Sequence, residues 1–78
     1  MISQELKTVI LNTLGVSEWE ITDDTLAAEV PGWDSLKHID VILAVEKHFG
    51  VRFRAPEVVR LKNVGDLQRL LSSKLAQR

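Results

Sequence analysis

The 78-residue chain has no cysteine, which excludes a disulfide staple and a thiolate metal site. Long apolar runs are also missing. The longest, Val41 to Val45, is far short of the roughly 20 residues that span a bilayer. The start Met1-Ile2-Ser3-Gln4-Glu5 lacks the basic residues and apolar stretch of a signal peptide, so a cytoplasmic protein without membrane insertion is expected. No internal repeat or low-complexity segment occurs. Hydrophobic content of 45% is ordinary for a globular chain and too high for a disordered one. One domain over residues 1–78, held by a modest packed core, is the expectation.

Net charge is only −1, but it is unevenly spread. Residues 1–39 hold seven acidic side chains against Lys7 and Lys37, whereas residues 40–78 hold four acidic against eight basic. Such polarity can orient a partner. It does not make a nucleic-acid surface. Arg52, Arg54, Arg60, Lys62, Arg69, Lys74 and Arg78 are scattered, and a DNA-binding domain is expected to be basic overall.

Apolar spacing predicts helices. Ile2, Leu6, Val9, Ile10, Thr13 and Leu14 recur every three or four residues, giving a helix from about residue 3 to 14 that stops at Gly15. Residues 15–34 form a long connection with apolar anchors Val16, Trp19, Ile21, Leu26 and Val30 and a short helical turn near Thr25–Glu29. The second helix runs from about Ser35 to His48 and ends at Phe49-Gly50, with Ile39, Val41, Ile42, Val45 and Phe49 expected to face the core. Val51 to Arg54 alternates like a strand but has no second strand to pair with, and reads as extended loop. Pro56 to Leu61 is expected as a short helix. Asn63 caps the last helix, whose apolar face is Val64, Leu67, Leu70, Leu71 and Leu75. The fold class is all-α: a small four-helix bundle of three main helices and one short one, with a long loop between the first two.

Ser35 is the most informative residue. Pro31 and Gly32 break regular structure before it, and Asp34 is a preferred helix cap. Ser35 should therefore sit exposed in a first helical turn, where free backbone N–H groups and the helix dipole favour an attached or bound phosphate. Hydrolysis is a poor alternative. A nucleophilic serine needs a base, an orienting acid and an oxyanion hole, and beyond His38, three residues on, nothing completes the set. Metal binding is no better founded: His38 and His48 lie more than two helical turns apart, and Asp23-Asp24 is not an EF-hand loop. No catalytic and no metal-binding residue is assigned. Leu36, Asp40, Leu43 and Lys47 share the stripe of the second helix that begins beside Ser35, which is either ordinary surface or a partner-docking face.

These residues also carry a resemblance. Asp34-Ser35-Leu36 at the start of an apolar helix resembles the D-S-L motif of acyl and peptidyl carrier proteins. Ile21 to Leu26, Leu43 to Val51 and Asn63 to Leu67 resemble the same family's segments before and after the motif. The resemblance implies that Ser35 receives 4′-phosphopantetheine from coenzyme A and holds an acyl or aminoacyl thioester on that arm, so that a cysteine-free, non-enzymatic protein can take part in thioester chemistry. It implies recognition by the phosphopantetheinyl transferase through Asp34 and Leu36, and partner docking through Leu36, Asp40, Leu43 and Glu46. The further partners implied are an acyl- or aminoacyl-loading ligase and downstream acyl-transfer or synthase enzymes, served by a monomer.

Carriers of primary fatty acid synthesis are typically acidic along the second helix, whereas here Lys37, His38, Lys47 and His48 interrupt it and Arg54, Arg60 and Lys62 follow. Trp33 resembles the residue found before the motif in carriers of amino acids, polyketides or specialised acyl groups, although it could equally be a loop anchor. A specialised, free-standing carrier is therefore preferred over the primary fatty-acid carrier. The alternative of another class is a small helical interaction or DNA-binding domain.

Overall fold

A computed structural model describes residues 2–77. Met1 and Arg78, which bound the expected domain and the latter of which is among the basic residues named above, lie outside the described residues. The architecture is all-α: α1 (Gln4–Leu14), a single 3₁₀ turn (Ala27–Glu29), α2 (Ser35–Phe49), the short α3 (Ala55–Val59) and α4 (Val64–Ala76). Among the described residues there is no strand, and Val51 to Arg54 is extended loop as expected.

Each main helix begins at a residue whose side chain takes up a free backbone donor. Ser3 Oγ accepts from Leu6 N at 3.2 Å, Asp34 Oδ1 from Lys37 N at 2.8 Å, and Asn63 Oδ1 from Asp66 N at 2.8 Å. Ser3 does so without a Glu or Gln three residues on, so the start of α1 needs no reciprocal capping box. The core is built from Leu6, Ile10, Val41, Val45, Val64, Leu67 and Leu71, all almost fully buried. Burial of such side chains is worth about 1.5–3 kcal/mol each. Leu75 and Phe49 are half-buried and pack at its margin, and Leu70 is half-buried.

Three expectations about burial are corrected. Ile39 was expected to face the core and is 57% exposed. Two residues make roughly 200° of helical rotation, so an inward Val41 forces Ile39 outward. Trp19 and Leu26 were expected to anchor the long loop, yet both are exposed. Ile21 and Val30 are buried as expected, and Thr25 and Trp33 take the other inward positions. The short helix also differs in its bounds: Pro56 falls inside the first turn that starts at Ala55, and Leu61 lies beyond the helix, its N–H bonded to the Val58 carbonyl.

The long loop is ordered by the start of α4. Val64 N donates to Thr25 O and Gly65 N to Asp23 O, both at 2.9 Å. Thr25 Oγ1 in turn accepts from Thr22 N at 2.8 Å. The approach at Gly65 is so close that a Cβ there would lie 2.6 Å from the Asp23 carbonyl oxygen. Glycine is required at this point by contact, and the loop is thereby fixed to the bundle next to the start of α2.

Candidate functional site

The chain enters α2 through Val30-Pro31-Gly32-Trp33-Asp34. Val30 and Trp33 are buried, and Trp33 N donates to Val30 O at 3.2 Å. Gly32 between them has φ +82°, in the left-handed region that costs a residue with a Cβ about 1 kcal/mol or more. This tight bend sends Trp33 inward and leaves Asp34 outside to cap the helix. Ser35, the first residue of α2, is exposed. Its hydroxyl has no hydrogen-bond partner among the described residues.

Trp33 closes the wall beside this serine. Its indole Nε1–H donates to His38 Nδ1 at 3.1 Å, and the two rings lie 26° from parallel with centroids 6.0 Å apart. An indole can only donate, so Nδ1 must present a lone pair and the neutral imidazole carries its proton on Nε2. His38 is half-buried. Helical periodicity could not reveal the pairing, because Trp33 precedes the helix. Ala27, Ala28, Trp33, Asp34, Ser35 and His38 together line an open depression. On its inner side a cleft of only about 20 Å³ lies among Trp33, His38, Leu61 and Leu67. That is room for about one water, so an acyl chain could enter there only by pushing the walls apart.

A catalytic triad is not assembled here. His38 uses Nδ1 on Trp33, Asp34 is committed to the helix cap, and no hydrogen bond joins Ser35 to either side chain. Among the described residues no group of three or more His, Asp or Glu side chains is placed to hold a metal ion, and no helix is long and apolar enough to cross a membrane.

The stripe that begins at Ser35 stands free. Leu36 is 76% exposed, and Ile39 and Leu43 are exposed beside it. Asp40 and Lys47 lie exposed on the same face. Ile39, Leu43, Phe53, Val58 and the exposed Val59 line an apolar depression between α2 and α3. Glu46 is different: it is half-buried and its Oε2 accepts from Phe53 N at 2.7 Å. At the opposite end of α2, His48 Nε2 lies 2.9 Å from Glu5 Oε2, linking α2 to α1.

Two carboxylates stabilise the α3–α4 region. A hydrogen bond from Arg54 N, at 2.8 Å, and then Lys74, at 3.0 Å, hold the Glu57 carboxyl below its usual range. The Asp66 carboxyl is lowered first by Lys62 N, at 3.0 Å, and then by Arg69.

A family model described as "phosphopantetheine attachment site" matches residues 4–71. The acyl carrier protein of Petrotoga mobilis is 36% identical over 72 residues, 92% of this chain and 85% of that protein. That of Thermotoga maritima is 30% identical over 74 residues, 95% of this chain and 91% of that protein. The chain belongs to the acyl carrier protein family. The solution NMR structure of holo acyl carrier protein from Geobacter metallireducens matches with a TM-score of 0.88 and 34% identity, covering 94% of this chain and 84% of that one. The prosthetic group of an acyl carrier protein is 4′-phosphopantetheine, covalently attached. The site fits such a group. It offers a hydroxyl without a partner among the described residues, at the first position of a helix and with an open depression beside it.

Proposed function

We propose that Ser35 is the attachment point of the phosphopantetheine arm and that the chain is a dedicated, free-standing carrier of acyl or aminoacyl groups. The arm supplies a terminal thiol on which cargo travels as a thioester. The chain's own residues provide the mount. Asp34 holds the first turn of α2 by accepting from Lys37 N, which keeps Ser35 at a fixed place where a transferase can reach it. The free N–H groups of that turn favour the negative charge of a phosphodiester, by up to about 1 kcal/mol in an exposed setting. The observation that carries this reading is the exposed, unpartnered Ser35 hydroxyl at the first position of α2.

Asp34 and the exposed Leu36 serve recognition by the phosphopantetheinyl transferase, and Leu36, Asp40 and Leu43 meet the loading ligase and the downstream acyl-transfer or synthase enzymes. Glu46 contributes by holding Phe53, and with it the loop that flanks the stripe. The preference for a dedicated pathway rests on charge. Lys37, Lys47 and His48 are exposed on α2, and Arg54, Arg60 and Lys62 are exposed after it. A basic docking surface of the kind that selects an acidic carrier is repelled by these groups, which weakens binding and slows encounter.

The test is to incubate the apo protein with coenzyme A and a broad-specificity phosphopantetheinyl transferase and to measure intact mass. The wild type should gain one arm and Ser35→Ala none. A gain that persists in Ser35→Ala places the site elsewhere. Loading by a primary fatty-acid system as fast as its own carrier would overturn the dedicated role.

A further inference from the structure

Six residues line the depression beside Ser35, and their polar groups can be counted. Ala27 and Ala28 have no polar side chain. The Trp33 indole N–H is used on His38. Asp34 is an acceptor and is itself negative. Ser35 is the attachment residue. That leaves His38, whose Nδ1 is occupied and whose neutral ring therefore has one proton, on Nε2. Among the described residues no buried side-chain nitrogen lacks a partner, and no bond to Nε2 exists, so this N–H is open to solvent. Lys37, the neighbouring cation in sequence, does not line the depression, and Lys62 borders only the inner cleft.

We propose that His38 is a positioning residue for the prosthetic arm: its Nε2–H donates to a non-bridging oxygen of the phosphodiester on Ser35, and Trp33 enforces the tautomer that makes it a donor. The two side chains are three residues apart on one helix, which places them on neighbouring positions of the same face. A phosphodiester arriving beside the Asp34 carboxylate gains from a donor on its other side. The bond directs the root of the arm toward the Ala27–Trp33 wall and restricts the sector it sweeps over the apolar stripe. Trp33 thus acts on the arm through the imidazole, without touching it. This rests on Ser35 being the attachment point.

Long-range proton–nitrogen NMR on the full chain, before and after enzymatic loading with unacylated phosphopantetheine, tests it. The apo protein should show His38 as the Nε2–H tautomer. On loading, exchange of that proton with water should slow by about tenfold, as a hydrogen bond to an anion requires. Phosphorus NMR supplies a second readout. His38→Gln can both accept from Trp33 and donate to the phosphate, so its phosphodiester resonance should match the wild type. His38→Phe should move toward the resonance of the unfolded loaded chain, while its far-ultraviolet circular dichroism stays helical. An Nδ1–H tautomer, an Nε2–H unaffected by loading, or identical resonances in wild type and His38→Phe would overturn the inference while leaving Ser35 intact. No mass gain at Ser35 would overturn both.

Discussion

Gly65→Ala is expected to destabilise the protein although it places the best helix former in a helix. In an open helical position the change stabilises by up to about 1 kcal/mol. Here the new Cβ would lie 2.6 Å from the Asp23 carbonyl oxygen and 3.0 Å from the Asp23 Cβ. Backbone cannot swing aside as a side-chain end can, so either α4 or the Asp23–Thr25 loop must retreat. Retreat breaks Gly65 N to Asp23 O and stretches Val64 N to Thr25 O, each worth about 0.5–1.5 kcal/mol net. Overpacking of this kind adds about 1–3 kcal/mol. The balance is a loss of about 2 kcal/mol, which for a domain this small lowers Tm by roughly 8–16 °C. Thermal unfolding followed by circular dichroism reads this directly. Ser73→Ala, at an exposed position of α4, is the control and should change stability by no more than about 0.5 kcal/mol. A Gly65→Ala midpoint equal to or above the wild type would refute the close approach as the reason for glycine.

Other outcomes follow from the same structure. Leu67→Ala empties a fully buried position and should cost about 2–5 kcal/mol in urea unfolding. Because Glu57 and Asp66 ionise more readily folded than unfolded, their contribution is complete above their ordinary values of 4.5 and 3.8 and is lost as pH falls through the lower folded ones. Glu57→Gln with Asp66→Asn should therefore flatten the decline of Tm below about pH 4.5, without changing its shape above pH 6. Acrylamide should quench Trp19, which is 39% exposed, far more than Trp33 at 8%, a contrast separable with Trp19→Phe and Trp33→Phe. Leu36→Ser and Leu43→Ser should keep the wild-type Tm within about 0.5 kcal/mol of stability and slow transfer to partner enzymes at least several-fold; unchanged transfer would remove the stripe from docking.

Periodicity and punctuation made much of this protein legible. The spacing of Leu6, Ile10 and Leu14 sets the buried face of α1, Asp34 and Asn63 mark helix starts, and Gly15 and Gly50 mark helix ends. The exposure of Ser35 followed from the same local rules, because a residue just after a cap and a Pro-Gly break has nowhere to be buried. These are local properties, decided by backbone geometry and hydrogen bonding within a few residues.

Long-range contacts decided the rest. Whether Ile39 or Val41 points inward depends on which side of α2 meets α1, and a mixed run of apolar residues leaves that open. Trp19 and Trp33 are equally plausible anchors in one dimension, but the core admits only Trp33. The sequence alone determined an all-α chain with a serine presented at a helix start. Only the structure showed Trp33 turned onto His38, because the bend at Gly32 and the burial of the indole set its direction. Only the tertiary fold brought Gly65 against Asp23, since no local rule relates segments so far apart in sequence.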